Sequence, residues 1–147
     1  MEDHTINILM QYPTDITELC IKKMKIKGIL DLSRFTNLMV LNCSQNSITS
    51  IINIPDTLYD LDCYKNEITH LDLPTNLIDL NCGRNKLSYL NCIPSKLIKL
   101  NCCYNRIQNL RNIPETLKEI NYLSDLPIEV DELPKSLVKI NYVMVTA

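Results

Sequence analysis

Cysteine is the residue type in this sequence with the most chemical potential, and four of its seven cysteines recur in one setting. Each follows a leucine by two residues and precedes an asparagine by three, as in "LNCSQN" and "LNCCYN". These four are Cys43, Cys63, Cys82 and Cys102. Thiolates at a fixed spacing could ligate zinc, close disulfides or supply a nucleophile. Which of these applies depends on the elements that carry them.

The cysteines belong to a repeat of about twenty residues, and such self-similarity points to a stacked repeat architecture. With the first apolar residue of each unit as position one, units begin at Ile16, Leu38, Leu58, Leu77, Leu97, Leu117 and Leu137. Position four is leucine or isoleucine throughout, and position six carries the four cysteines. Apolar residues at positions four and six around a mostly polar position five predict a short strand with one buried face.

Each unit returns to the same register, so the strands are predicted to stack in parallel over a shared core. Asparagine fills position nine of the four central units, where its amide can satisfy backbone groups left unpaired as the chain turns back. These residues are Asn46, Asn66, Asn85 and Asn105. Most return limbs carry a proline, which favours an extended, polyproline-like backbone over a helix.

The segments "LMVLNCSQNSI" and "LIKLNCCYNRI" resemble the leucine-rich repeat pattern Leu-x-x-Leu-x-(Leu/Cys)-x-x-Asn-x-(Ile/Leu). The repeat length and the joints "IPDTL", "IPSKL" and "IPETL" are similar to the short repeats of bacterial secreted effectors. The resemblance implies a right-handed solenoid. A chain rich in Ile, Asn, Lys and Tyr also suggests an AT-rich genome, such as that of a large DNA virus, so a viral protein is expected.

The predicted fold is therefore the α/β-solenoid class in its mostly-β form. It has a concave parallel sheet, an extended or polyproline-like convex side, and few or no helices. Residues 1–15 are predicted to form an N-terminal cap segment, residues 16–142 the solenoid of about seven units, and residues 143–147 a C-terminal tail.

This fold constrains the chemistry of the four cysteines. Stacked strands lie about 4.8 Å apart, so the sulfurs form a row about 14 Å long. A zinc site needs every sulfur within about 2.3 Å of one ion, and a disulfide needs Cβ atoms about 3.8 Å apart. We therefore expect buried, reduced cysteines that fill a narrow core, and neither a metal nor a cofactor.

Three cysteines lie outside this row. Cys92 falls in a return limb and is predicted to be buried, whereas Cys20 and Cys103 are predicted to face the concave surface. Neither His4 nor His70 falls in register with these thiols. We therefore predict no catalytic residues and no enzyme activity.

The concave face offers the candidate binding residues. Position three carries the acidic residues Asp60 and Asp79, and position five carries an almost unbroken line of Asn. Positions seven and eight supply a basic and aromatic edge, comprising Tyr64, Lys65, Arg84 and Tyr104. Tyrosine and arginine often carry binding energy, so these six residues are the predicted partner-binding site. The alternatives are a mixed-charge surface for solubility and, at position five, solvated filler or an amide ladder between strands.

Composition narrows the class of partner. The formal net charge of -2 argues against nucleic-acid binding and against a polybasic membrane surface. The sequence shows no secretory signal and no run of eighteen apolar residues, so a cytoplasmic, reducing location is expected.

The sequence thus predicts a non-catalytic module that binds a protein partner. The alternatives are a substrate-recognition subunit for a ubiquitin ligase and a self-assembling structural protein. The apolar residues of the last unit also suggest a homodimer through residues 137–147, because exposed strand edges invite pairing.

Overall fold

Parallel strands, one from each repeat unit, dominate the computed structural model, which describes residues 4–141. The elements in chain order are α1 (His4–Leu9), β1 (Glu18–Cys20), β2 (Lys27–Asp31), β3 (Val40–Asn42), β4 (Ser47–Ile52), β5 (Asp60–Asp62), β6 (Asp79–Asn81), β7 (Lys99–Asn101), β8 (Asn109–Leu110), β9 (Glu119–Asn121), β10 (Glu129–Val130) and β11 (Lys139–Asn141).

Seven strands form one parallel sheet in the order β1-β3-β5-β6-β7-β9-β11. Position four pairs with position four throughout, so that Leu61 is the partner of Leu41 on one side and of Leu80 on the other. The first six of these strands each show one buried residue between two more exposed ones, as the period-two pattern predicts, whereas all three residues of β11 are exposed. The predicted mostly-β solenoid with a parallel sheet is confirmed.

The core is the stack of apolar positions from successive units. In the unit that begins at Leu58, the side chains of Leu58, Leu61, Cys63 and Ile68 are fully buried. Burying one such aliphatic side chain contributes roughly 1.5–3 kcal/mol. A single unit cannot bury this face alone, so the stacking of neighbours stabilises the fold.

The asparagines of position nine bridge neighbouring units. The Asn66 side-chain amide donates to the backbone oxygens of Cys43 and Cys63, both at 3.0 Å. Its Oδ1 accepts from the backbone N–H of Ile48 at 3.0 Å. Asn85 repeats this pattern one unit later. The predicted role of these amides is confirmed, and each one ties two units together.

The opposite side of the solenoid contains strands that the sequence did not predict. β2 pairs with β4 and β8 pairs with β10, both in parallel. In β4, "SITSII" places β-branched isoleucine and threonine in a run without proline, so its backbone can pair with that of β2. The pairing shifts register between Gly28 and Ile29, and Gly28 has a φ of 77°.

The N-terminal segment contributes the helix α1, which buries Thr5, Ile8 and Leu9. This helix lies within the predicted cap segment. The predicted tail at residues 143–147 lies outside the described residues, as does Tyr142.

Candidate functional site

The four cysteines of position six are free and buried, as predicted. Burial raises the pKa of each thiol, and that of Cys102 rises to about 12. Thiols that stay protonated are poor nucleophiles and poor metal ligands. These side chains therefore act as small apolar groups in the core.

Two predictions about the other cysteines were wrong. Cys92 is exposed because it holds a left-handed backbone, with a φ of 51°, at the joint position that Asn53 and Asn112 fill in other units. Cys103 is buried because its neighbour at position seven is Gly83. A Cβ atom at Gly83 would lie 2.9 Å from the Cys103 sulfur, which occupies the space of that missing side chain. Cys20 is exposed, as predicted.

We use the term sheet face for the side of the seven-stranded sheet that carries positions three and five. Asp60 and Asp79 lie there as register partners on β5 and β6. Burial raises the pKa of both carboxyl groups, and repulsion from Asp62 at Asp60, and from Asp60 at Asp79, adds to it, whereas Lys99 lowers both. The structure thus brings these two predicted residues together, and we call them the acidic pair.

Farther along the same row, the charges alternate. Asp79, Lys99, Glu119 and Lys139 succeed one another on neighbouring strands, and the Lys139 amine lies 4.0 Å from the Glu119 carboxylate. A groove of about 240 Å³ runs above these strands, so the sheet face is concave here. Alternating charges largely neutralise each other, whereas the acidic pair places like charges side by side.

The polar residues of position five have a local role. Their side-chain oxygens accept the backbone N–H two residues farther on, which ends the strand in a turn. In β5, Asp62 accepts from Tyr64 at 3.0 Å, and in β6, Asn81 accepts from Gly83 at 3.3 Å. The sequence offered two interpretations of position five, an amide ladder between strands and solvated filler. Neither of them includes this role in forming the turn. These side chains position the residues at positions seven and eight.

Those positions hold the other four predicted residues, which we call the tyrosine–arginine patch: Tyr64, Lys65, Arg84 and Tyr104. The guanidinium of Arg84 lies 4.8 Å from the centre of the Tyr104 ring, a cation–π contact. Lys65 and Arg84 are exposed, and both adopt left-handed backbone conformations. The Tyr64 ring lies above Gly83, whose missing side chain leaves room for it.

The acidic pair begins its strands, and the patch lies in the turns that follow the strands. Each strand covers only positions three to five, as in Asp60–Asp62, so a strand and part of a turn separate the two groups. The sheet face therefore presents an acidic edge and a basic, aromatic edge across one surface. The structure does not bring these two groups into contact, and their binding role stays a prediction.

Sequence reasoning missed a row of apolar side chains at position two, which we call the apolar row: Met39, Tyr59, Ile78 and Ile98. Successive backbone hydrogen bonds of 2.8–3.0 Å join these residues across four units. Met39 and Tyr59 are each 41% exposed, and Ile78 is 38% exposed. Position two is apolar in five of the seven units, four of them consecutive, so the repeat alignment carried a signal that could have found this row.

A second unpredicted arrangement lies away from the sheet face. The two ring nitrogens of His70 contact the Tyr89 hydroxyl at 2.9 Å and the Asp72 carboxylate at 2.8 Å. This order resembles a nucleophile, a base and an orienting acid. The Asp72 side chain is 90% exposed, so water screens its effect on the histidine. We assign this cluster no catalytic role.

Across residues 4–141, no group of three His, Cys, Asp or Glu side chains is arranged to hold a metal ion. The helical part of the described chain includes no segment with the length and apolar character needed to span a membrane.

Comparison with known proteins agrees with this architecture. The leucine-rich repeat domain of a Shigella effector matches with 24% identity and a TM-score of 0.69, over 85% of this chain and 57% of that one. The functional domain of InlJ from Listeria monocytogenes, which includes a cysteine ladder, matches with 28% identity and a TM-score of 0.77. That match covers 86% of this chain and 30% of the InlJ chain. No protein-family model and no curated protein matches the sequence.

The class of protein is thus defined by its fold, which is that of leucine-rich repeat domains. The chain spans about a third to just over half of these two structures. The comparisons do not support the predicted viral origin, which stays a prediction.

Proposed function

We propose that this protein is a non-catalytic interaction module that binds a protein partner through the sheet face. The tyrosine–arginine patch is the observation that carries the proposal. Side chains of the types that dominate binding energy are held there by short turns, and residues of neighbouring units pack against them. Solenoids present extended concave surfaces of this kind to their partners.

The charges of the patch are available to a partner. Within residues 4–141, neither Lys65 nor Arg84 forms an ion pair, and the guanidinium of Arg84 packs against the ring of Tyr104. Binding would not require these cations to give up an internal partner. A carboxylate of the partner that meets Arg84 would form a charge-assisted hydrogen bond, which is stronger than a neutral one.

The test is capture of a partner from a cell lysate by the immobilised protein, followed by mass spectrometry. The combined change Tyr104→Ala and Arg84→Glu is expected to abolish capture and to lower the melting temperature little. Lys135→Glu makes the same charge change at an exposed residue outside the seven-stranded sheet and serves as the matched control. Equal capture by both variants would contradict a site on the sheet face.

Self-association is a second candidate function, and the end of the sheet favours it. β11 pairs with β9 alone among the described strands, and its residues are exposed. Val138 is 80% exposed and Ile140 39% exposed, so an apolar end is available for a symmetric homodimer. Light scattering after gel filtration tests this. A native chain that runs as a 17 kDa monomer at tens of micromolar, with the same size as the Val138→Lys variant, would contradict self-association.

Two further proposals concern the cellular location of the protein and the role of its partner. The free cysteines, two of them exposed, support a cytoplasmic, reducing location. Fractionation of expressing cells with a tagged chain would test that location. Recruitment of a substrate to a ubiquitin ligase is one form that partner binding could take. Identification of a ligase subunit in the captured material would support it, and its absence from every capture would count against it.

A further inference from the structure

The apolar row is a built surface feature. The N–H of Tyr59 donates to the oxygen of Met39, that of Ile78 to Tyr59, and that of Ile98 to Ile78. These bonds hold four apolar side chains at the spacing of adjacent strands, about 4.8 Å. Single exposed apolar residues are ordinary, but an aligned row of them marks a contact surface.

Charge defines what this surface can accept. The acidic pair follows the apolar row directly in sequence, since Asp60 follows Tyr59 and Asp79 follows Ile78. The N–H groups of Tyr59 and Asp60 both donate to the Met39 oxygen, and those of Ile78 and Asp79 both donate to the Tyr59 oxygen. The alternation of faces begins with the strand, so it does not yet separate these neighbours. Within the described residues, neither carboxylate of the pair accepts a hydrogen bond or joins an ion pair. A cation placed between these carboxylates would be attracted by both, whereas an anion would be repelled by both. Charge complementarity therefore selects a basic group next to apolar ones.

The spacing of the apolar row indicates the backbone conformation of a partner segment that would bind there. From Met39 to Ile78 the row advances two strand spacings, or about 9.6 Å. Residues i and i+7 of a helix lie about 10.5 Å apart along its axis. Residues i and i+4 of an extended segment lie about 13 Å apart. A helix that runs along the row therefore matches its period within about 1 Å, and an extended segment does not.

We infer that the apolar row and the acidic pair together bind an amphipathic helix of the protein partner. Its apolar residues at i, i+3 or i+4, and i+7 would contact Met39, Tyr59 and Ile78. A lysine or arginine beside this stripe would lie between Asp60 and Asp79. The inference rests on the proposed function and deepens it, because it specifies the chemistry and the conformation of the partner segment.

The experiment selects peptides without assuming a partner. A display library of fully randomised 18-residue peptides is selected on the immobilised native chain. The recovered peptides are expected to carry net positive charge and apolar residues at helical spacing, and to gain helical circular dichroism on binding. Peptides that bind the native chain but not the Asp60→Asn and Asp79→Asn variant are assigned to the apolar row, and those lost on changing Arg84 and Tyr104 are assigned to the patch. If the peptides of the first group are acidic, alternate apolar and polar residues, or bind without helix formation, the inference is overturned. No enrichment over uncoated surfaces would overturn it as well.

Matched variants locate the contact. The combined change Asp60→Asn and Asp79→Asn keeps the shape of both side chains and is expected to weaken the selected peptides at least tenfold. Tyr59→Ser with Ile78→Ser is expected to weaken them by a similar factor. Ile52→Ser, at an apolar residue of β4 that is 40% exposed and lies away from the sheet face, is the control and is expected to change affinity less than twofold. Unchanged affinity in both double variants would overturn the inference.

Two outcomes separate this inference from the proposed function and from another occupant. If lysate capture is lost on changing Arg84 and Tyr104 but persists when the acidic pair and apolar row are changed, the function stands and the helix site fails. If the apolar row instead binds a second copy, sedimentation of the protein alone will show a dimer that Tyr59→Ser dissociates. That result would also overturn the inference.

Discussion

Replacing Asn85 by alanine tests the bridge that holds neighbouring units together. The Asn85 side chain is 8% exposed. Its Oδ1 accepts the Ile68 N–H at 3.0 Å, and its amide donates to the oxygens of Cys63 and Cys82, both at 3.0 Å. A fourth, longer hydrogen bond joins this amide to the oxygen of Gly83 at 3.3 Å, and alanine removes all four. The Gly83 oxygen still accepts from the Lys65 N–H. Their loss does not cost equally, because some of the backbone groups retain other partners.

Counting those partners gives the magnitude. The oxygen of Cys63 still accepts from Asn66, and that of Cys82 still accepts from Asn105, each at 3.0 Å. The Ile68 N–H loses the hydrogen bond that Asn85 provides. One buried, unpaired donor costs about 1–3 kcal/mol, so Asn85→Ala is expected to lower the free energy of unfolding by about 2 kcal/mol. For a chain of this size, that corresponds to a fall in melting temperature of about 5 °C.

Asn85→Asp makes the test sharper. The aspartate keeps an acceptor for Ile68 but directs a carboxylate oxygen at two backbone oxygens. Its cost is therefore expected to exceed that of alanine, although its volume is native. Asp125→Ala is the control at position nine, because Asp125 is exposed and should change stability by less than about 0.5 kcal/mol.

Urea unfolding, followed by circular dichroism, measures all three variants. Equal losses at Asn85 and Asp125 would refute the bridging role of the asparagine. An Asn85→Asp variant as stable as the native chain would refute the hydrogen-bond count.

Three further predictions follow from the geometry. Native thiol labelling should modify Cys20 and Cys92 rapidly and the other five cysteines only in denaturant; fast reaction of a third thiol would contradict the burial pattern. The change of Asp60 and Asp79 to asparagine should raise the melting temperature at pH 7, because burial and repulsion from neighbouring carboxylates raise the pKa of these carboxyls and so disfavour the folded state above the unfolded pKa of about 3.9. This difference should shrink toward pH 4, as the folded-state carboxyls become protonated, and a gap that widens would contradict it. Arg84→Gly should stabilise the fold by about 1 kcal/mol, by relieving a left-handed backbone, yet abolish partner capture.

The fold could be predicted because each repeat states the same pattern again. Leucine or isoleucine at position four and cysteine at position six indicate the buried face in several units. The buried face can therefore be predicted even where one unit departs from the pattern. Asparagine at position nine has a physical role that depends only on the local turn, and Asn66 and Asn85 fulfil it. Local rules repeated along a chain are therefore reliable guides to this architecture.

The errors have a different origin. Cys103 is buried because of Gly83, which belongs to the preceding unit and leaves its space empty. Cys92 is exposed because of a left-handed backbone at a joint, where asparagine is a more usual residue than cysteine. The burial of Cys103 and the exposure of Cys92 both depend on contacts or backbone conformation at one site. A repeat pattern describes what the units share and does not show such local differences. The apolar row was missed although position two is apolar in four consecutive units, so the repeat alignment carried a signal that could have found it.

At position eight, the sequence has large side chains where glycine would fit the backbone with less strain. Lys65, Arg84 and Tyr104 all adopt a left-handed backbone, with φ values of 50–56°. That conformation costs a side-chain-bearing residue roughly 1–2 kcal/mol, and glycine would avoid the cost. Glycine would also remove the cations and the ring from the edge of the sheet face. The same conformation occurs at Lys23 and Gln45, so it recurs at position eight of five successive units, each time beneath a large exposed or partly exposed side chain. A large side chain is thus retained where glycine would fit with less strain, which favours a role for these side chains at the surface, and that role stays a prediction.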